Sequence, residues 1–121
     1  MKGKRRRTMK RQKLIYSVCM VVFLVLLSTS VYAACTADRC IGKIDRLYVN
    51  GGTLYISTDG DETNLDCTPP GGVYITIPTS DPEFNNLYAM MLTSMSLNNT
   101  IGLRIQNGSD RCALIYTYMD N

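Results

Sequence analysis

The chain has 121 residues, with 13 basic and 10 acidic side chains, no histidine and no tryptophan. A chain of this length holds one domain with a small hydrophobic core. The absence of histidine excludes Ser-His-Asp and Cys-His catalytic arrangements and removes the commonest general base. We therefore expect a protein that is not an enzyme and that carries no cofactor and no metal.

The first 33 residues predict a secretory signal peptide. Residues 1–13 carry eight basic side chains and no acidic one, an apolar run covers residues 14–27, and Val31 and Ala33 fit the two positions before a cleavage site that must be small or slim. This order of segments is typical of export and places cleavage after Ala33, which leaves residues 34–121 as a binding domain. The alternative is a retained anchor helix, because residues 14–33 are just long enough to span a bilayer.

Removal of this leader reverses the charge balance. Residues 34–121 hold 5 basic and 10 acidic side chains, a net charge of −5. A domain with this balance has no basic stripe to neutralise phosphates, which excludes nucleic acid as a partner. We expect a secreted or periplasmic domain that makes no membrane contact after cleavage.

Four cysteines remain in the predicted mature domain: Cys35, Cys40, Cys67 and Cys112. An even number of cysteines in a short exported chain predicts two disulfides. A four-cysteine zinc site would need paired C-x-x-C segments, which this sequence lacks.

The elements that follow are mostly strands. Residues 41–49 and 53–58 predict a hairpin around the turn "NGG" at residues 50–52, and residues 73–77 predict a third strand with Val73, Ile75 and Ile77 pointing inward. In the second strand, Leu54 and Ile56 point to one side and Tyr55 and Ser57 to the other. A fourth strand at residues 101–106, with Ile101, Leu103 and Ile105 pointing inward, and a fifth at residues 112–119 complete the set.

One segment has helical spacing. Its apolar residues form a single stripe at i, i+3, i+4, i+7, i+8 and i+11. Asp81 is expected to cap its beginning, with a capping box between Ser80 and Glu83, and Asn98 and Asn99 are expected to end it. The stripe consists of Phe84, Leu87, Tyr88, Met91, Leu92 and Met95.

The order β-β-β-α-β-β is that of an OB-fold, a five-stranded barrel. In such a barrel the start of the first strand, the end of the second and the turn after the fourth lie at one end. This arrangement favours the disulfide pairs Cys40–Cys112 and Cys35–Cys67, while the two other connectivities stay open.

The segment "STDGDETNLDC" at residues 57–67 contains four carboxylates. Compared with an EF-hand calcium loop, it has Asn64 where glycine is needed and Pro70 where glutamate is needed. We interpret it as the connection between the second and third strands. If it has a role, contact with a ligand or partner at the barrel rim is expected, with Asp59 and Asp61 as candidates.

Six tyrosines lie in residues 34–121. Tyr55 and Tyr74 fall on the strand face opposite the apolar side chains. Exposed tyrosines stack on sugars or anchor partner proteins, so these two are further candidate ligand-binding residues.

Four segments in order carry a family resemblance: "CIGKI" at residues 40–44, "LYIST" at 54–58, "FNNLYAMMLTSMSLNN" at 84–99 and "TIGLRI" at 100–105. The pattern resembles the OB-fold B subunits of AB5 bacterial toxins of the subtilase cytotoxin and typhoid toxin type, and short exported bacterial proteins with "C-x-G-K-I". The resemblance implies a homo-pentameric ring that binds a host glycan and accompanies a separate toxic subunit. The segment "ACTADRC" before the first strand is shorter than in those toxins, so no sugar-binding residue is carried over.

A second function fits the same sequence. A monomeric periplasmic or secreted protein that binds or inhibits another protein would have the same leader, the same cysteines and the same exposed tyrosines. The oligomeric state and binding to glycans separate the two.

Overall fold

The computed structural model describes residue 12, residues 14–17 and residues 32–119 of the chain. The chain divides into two compact units, residues 1–31 and residues 32–121. In the first unit, residues 14–17 are helical and exposed. The remainder of the predicted leader, up to Val31, lies outside the described residues, so the signal peptide and its cleavage remain predictions.

The described part of the second unit contains seven strands and one long helix. In chain order they are β1 (Ala34–Thr36), β2 (Arg39–Gly42), β3 (Ile44–Asn50), β4 (Thr53–Thr58), β5 (Ile75–Pro78), α1 (Phe84–Leu97), β6 (Ile101–Ile105) and β7 (Leu114–Tyr118). Two single turns of 3-10 helix, Glu62–Asn64 and Pro70–Gly72, lie in the connection between β4 and β5.

The strands form two antiparallel sheets. One has four strands in the order β1-β2-β6-β7, and the other has three in the order β3-β4-β5. The mostly-β class with one main helix is therefore confirmed. The strand pairing gives two open sheets rather than one continuous barrel sheet, and a parallel bridge between Thr76 and Ala113 is a further point where segments of the two meet.

The first predicted strand is two strands in the structure. β2 pairs with β6, and β3, which begins two residues after β2 ends, pairs with β4. The chain changes sheet at Lys43, whose amide donates to the Asp59 carboxylate at 2.7 Å. The Asp59 amide in turn donates to the Lys43 carbonyl at 3.0 Å, so this pair of hydrogen bonds fixes the crossing.

The core lies between the sheets and the helix. Strand residues on the inner faces are fully buried, as the alternation predicted for Leu54, Ile56, Ile75 and Ile77 and for the three inward positions of β6. Val73 is the exception, with 43% of its surface exposed. The 3-10 turn at Pro70–Gly72 ends at Val73, so β5 starts only at Ile75.

The beginning of the helix differs from its sequence prediction. The N-cap is Glu83, whose side chain makes no capping hydrogen bond, so Asp81 is not the cap. The Asp81 carboxylate accepts from the Glu83 amide at 2.8 Å in the turn that precedes the helix. The capping box is absent, because the Glu83 carboxylate accepts from Asn86 instead. Asn98 ends the helix in the left-handed conformation, with φ of 55°.

The buried stripe of the helix differs from the predicted one at its C-terminal end. Leu87 and Met91 are buried as expected, and Phe84 and Tyr88 pack against the core. Leu92 and Met95, in contrast, are 40% and 42% exposed, and Ser94 takes the inward position. Ser94 is satisfied there because its hydroxyl donates to the Asn99 carbonyl at 2.9 Å.

Two disulfides are present, but the favoured pairing was wrong. The bridges are Cys35–Cys40 and Cys67–Cys112, with Cα atoms 4.0 and 5.0 Å apart. The segment "CTADRC" forms its own hairpin, and its two-residue turn places Cys35 directly opposite Cys40. The sequence prediction assigned no strand there, because a three-residue edge strand gives little periodicity.

Candidate functional site

Three tyrosine rings lie together on the outer face of the three-stranded sheet. Tyr48 of β3 stacks on Tyr55 of β4, with ring centroids 4.9 Å apart and planes 6° apart. Tyr74, just before β5, meets Tyr48 and Tyr55 edge-on at centroid distances of 5.4 and 5.8 Å. Stacked and edge-to-face pairs both suit the aromatic quadrupole. We call these three residues the tyrosine surface.

The register of the sheet assembles this surface. The turn between β3 and β4 consists of two glycines in the left-handed region, which suits a two-residue hairpin turn and pairs Tyr48 with Tyr55. The next ladder pairs Tyr55 with Thr76, and Tyr74 lies two residues before Thr76 on the same side. The opposite side of β4 and β5 carries the buried core residues, so the tyrosines face outward.

Two arginines donate hydrogen bonds to the hydroxyl groups of two of these tyrosines. Arg46 Nη1 donates to Tyr74 Oη at 3.1 Å, and Arg111 Nη2 donates to Tyr55 Oη at 2.6 Å. The guanidinium carbon of Arg111 also lies 5.7 Å from the Tyr55 ring centroid, in a cation–π contact. Arg46 comes from β3, while Arg111 comes from the loop between β6 and β7.

These two arginines lack a carboxylate partner among residues 32–119. The ion pairs found in that range join Arg39 and Arg104 to Asp38, on the other sheet. The hydrogen bond from Arg46 to Tyr74 is the main reason that the pKa of the Arg46 guanidinium is raised further. Arg46 and Arg111 therefore place two positive charges beside the tyrosine surface, in a domain whose net charge is −5.

Tyr48 has the most exposed ring of the three, at 38% of its surface. Its pKa is raised, first by desolvation beside its neighbours and then by the nearby Tyr74 and Tyr55 phenols. Tyr48 consequently stays neutral at physiological pH. Its ring is available for stacking, and its hydroxyl can donate or accept a hydrogen bond.

The two candidate aspartates, Asp59 and Asp61, both accept hydrogen bonds within the protein. Asp59 accepts the Lys43 amide, as described above. Asp61 accepts from both the amide and the hydroxyl of Thr63, at 3.1 and 2.5 Å, and these bonds lower the pKa of its carboxyl group. Neither carboxylate makes a hydrogen bond to a residue of the tyrosine surface.

The other two acids of this loop are also engaged with protein groups. Glu62 is 2% exposed and accepts from the Thr58 amide and hydroxyl at 2.6 and 2.8 Å. The Asp66 carboxylate accepts from the Asn107 side chain at 3.2 Å. Among the described residues, three metal-ligating side chains meet only at Cys35, Cys40 and Glu62. That group offers no thiolate, because the two cysteines form a disulfide.

The outer face of the four-stranded sheet has a different composition. Asp38 lies between Arg39 and Arg104 and neutralises part of their charge. Tyr118 lies across Gly102, where any Cβ would collide with its ring. The rings of Tyr116 and Tyr118 are tilted by 46° and their centroids are 6.3 Å apart. This face therefore lacks the stacked rings and unpaired arginines of the tyrosine surface.

No family model, no curated protein and no solved structure matches this chain. No helix within the described residues has the length and apolar character needed to cross a membrane.

Two of these three tyrosines, Tyr55 and Tyr74, are candidates from the sequence. They lie on the face opposite the core residues, as expected, and the structure adds that their rings contact each other. Tyr48 was missed, although the two-glycine turn already pairs it with Tyr55. Arg46 could also have been predicted, because it lies two residues before Tyr48 in β3 and alternation places both on the same face. Arg111 gave no sequence signal, because it reaches Tyr55 from a loop 56 residues away.

Proposed function

We propose that residues 34–121 form an exported, non-enzymatic binding module that holds a glycan on the tyrosine surface. The observation that carries this proposal is the set of three contacting tyrosine rings flanked by two arginines without carboxylate partners. Aromatic faces stack on the apolar faces of sugar rings, and arginine forms paired hydrogen bonds with a carboxylate. The ligand is therefore a glycan that carries an acidic group.

We further propose that the two sheets are the halves of an OB-like barrel. Three features support this topology: the continuous run of β2 and β3 across both sheets, the helix between β5 and β6, and the parallel bridge Thr76–Ala113. In OB-folds the face of the second and third strands and the loop between the fourth and fifth bind oligosaccharides. If β4 and β5 are the second and third strands of such a barrel, Tyr55 of β4, Tyr74 just before β5 and Arg111 of the β6–β7 loop would take the corresponding positions.

The absence of catalysis is part of the proposal. The chain has no histidine, and the four cysteines of residues 34–121 are all in disulfides. The carboxylates of the β4–β5 loop accept hydrogen bonds from the protein itself. These groups are unsuited to general acid–base or nucleophilic roles, and a binding role fits them better.

Assembly with further copies, as in the toxin B subunits that the sequence resembles, is a second part of the proposal. β3 is an edge strand of seven residues, and such strands pair with other chains. The helix also exposes Leu92, Met95 and Leu97. If the protein stays monomeric, the alternative function gains support, and these apolar residues would then contact an unrelated protein.

A glycan array tests the proposed ligand. The wild-type protein is compared with Arg46→Gln and Arg111→Gln, and with Arg39→Gln as a control from the other sheet. We expect the wild type and Arg39→Gln to bind acidic glycans. The affinity of the two other variants should be lower by at least about tenfold, because each loses a charge-assisted hydrogen bond. Binding to no glycan, or equal binding by all four proteins, would reject the proposal.

A further inference from the structure

A buried carboxylate lies beside the Cys35–Cys40 disulfide. The sulfur atoms of this bridge and a carboxylate oxygen of Glu62 all lie within 4.8 Å of one another. Cys40 is fully buried, Glu62 is 2% exposed and Cys35 is 9% exposed. This cluster is separate from the tyrosine surface and has no part in the proposed binding of a glycan.

The Glu62 carboxylate accepts hydrogen bonds only from neutral groups among the described residues. The donors are the Thr58 amide and the Thr58 hydroxyl. Among residues 32–119 the ion pairs involve Asp38 alone, so Glu62 has no arginine or lysine partner there. A carboxylate in such a site acts strongly on neighbouring charges, because little water screens it.

The reduction of a disulfide places negative charge on its sulfur atoms. An external thiolate attacks the sulfur of Cys35, the more exposed of the two residues, and forms a mixed disulfide with it. The sulfur–sulfur bond breaks, and its electron pair leaves on Cys40 Sγ as a thiolate. A second external thiolate then attacks the mixed disulfide, which releases Cys35 as a thiolate and the reagent as its own disulfide. In the first step the new charge on Cys40 develops in a buried site beside the Glu62 carboxylate.

We propose that Glu62 protects the Cys35–Cys40 bridge from reduction by external thiols. Its charge raises the free energy of the departing Cys40 thiolate, and rates of thiol–disulfide exchange follow the stability of the leaving thiolate. The protection matters because β1 has only three residues and lies at the sheet edge, so the bridge is the main covalent restraint on it.

The loop that carries Glu62 also covers the bridge. A Cβ at Gly60 would approach Cys35 Sγ to 2.9 Å, so the glycine allows the loop backbone to lie against the sulfur. The Asp66 amide donates to the Ala37 carbonyl in the β1–β2 turn at 2.7 Å. The acidic loop thus shields the hairpin physically as well as through its charge.

The test measures the reduction rate of each bridge in the protein recovered after expression of the full chain with export. Samples are incubated with 2-mercaptoethanol at pH 8, alkylated at intervals and analysed by peptide mass spectrometry. Glu62→Gln removes the charge but keeps an oxygen that accepts from Thr58. Glu83→Gln is the matched control, since Glu83 is the other glutamate of the chain and is exposed.

We expect Cys35–Cys40 to be reduced about tenfold faster in Glu62→Gln than in the wild type. The rate of Cys67–Cys112, the internal reference, should be unchanged, and Glu83→Gln should behave as the wild type. An unchanged Cys35–Cys40 rate in Glu62→Gln would overturn the proposal. Equal acceleration of both bridges would also overturn it, since that result indicates a general loosening of the fold.

Thr58→Val is a second control, because it keeps the charge of Glu62 but removes a hydrogen bond to it. If Cys35–Cys40 were reduced as fast in Thr58→Val as in Glu62→Gln, Glu62 would have a structural role instead, and the proposal would be overturned.

Discussion

Asp61 and Glu62 are adjacent carboxylates in opposite surroundings. Asp61 is exposed and accepts from Thr63, whereas Glu62 is buried and accepts from Thr58. The sequence shows four acids in a short loop but not which of them is buried. That difference depends on where the β1–β2 hairpin lies, and the hairpin itself was not predicted. Asp59 and Asp61, which the sequence suggests as ligand-binding candidates, accept hydrogen bonds from the Lys43 and Thr63 amides.

Asp61→Asn is expected to change how stability depends on pH. The Thr63 hydroxyl and amide lower the pKa of the Asp61 carboxyl group in the folded state. A lowered folded pKa stabilises the protein above the ordinary carboxyl pKa, and this contribution is lost as the pH falls through that range to the folded pKa. The difference in free energy of unfolding between the wild type and Asp61→Asn should therefore be small at pH 7, since the group is exposed, and should decrease as the pH falls below the ordinary carboxyl pKa.

Urea unfolding of both proteins at pH 7, 5 and 3 measures this effect. Asparagine caps a turn as well as aspartate, so the comparison isolates the charge. If the free energy of unfolding of the wild type exceeded that of Asp61→Asn by more at acidic pH than at pH 7, the Asp61 carboxylate would not be stabilised by Thr63.

At the scale of elements, periodicity predicted the interiors well and the boundaries poorly. The inward positions of β4 and β6 and the end of α1 at Asn98 agree with the sequence, whereas α1 is capped at Glu83 rather than at Asp81. Val73 was placed in a strand although the turn at Pro70–Gly72 continues to it. In α1 the helical period alone does not predict whether Met95 or Ser94 is buried, because the buried stripe drifts around a helix of 3.6 residues per turn. Packing against the sheets determines that Ser94 is buried.

The two methionines of α1 test this description of the helix. Met91→Ala should reduce the free energy of unfolding by about 2–5 kcal/mol, because Met91 is fully buried and its removal leaves a cavity. Met95→Ala should change it by no more than about 0.5 kcal/mol, because Met95 is 42% exposed. Chemical denaturation of both variants measures the difference. Similar losses in the two would mean that the helix presents a different face to the core.

At the scale of the whole molecule, the two disulfides act over different distances along the chain. Cys35–Cys40 closes a separation of 5 residues within one hairpin. Cys67–Cys112 spans 45 residues and joins the β4–β5 connection to the β6–β7 loop. The backbone bonds between Thr68 and Ser109, and between Gly108 and Asp66, run beside it. The longer bridge therefore links parts of the chain on both sides of the helix.

Chain entropy predicts unequal effects for the two bridges. Replacing Cys67 and Cys112 by serine should reduce the free energy of unfolding by ~4 kcal/mol, whereas replacing Cys35 and Cys40 should reduce it by ~2 kcal/mol, because a longer loop restricts the unfolded chain more. Denaturation of the two double variants under identical conditions measures both values. An equal or larger loss for the Cys35–Cys40 variant would show that this bridge stabilises the native state through contacts rather than through loop closure.

If the tyrosine surface binds the ligand, nuclear magnetic resonance should detect the contact at the tyrosine rings themselves. Exported protein with isotope-labelled tyrosine is titrated with the acidic glycan that gives the strongest array signal. We predict shifts for Tyr48, Tyr55 and Tyr74, while Tyr88, Tyr116 and Tyr118 keep their positions. Shifts confined to Tyr116 and Tyr118, or shifts in none of the six rings at saturating glycan, would contradict the account.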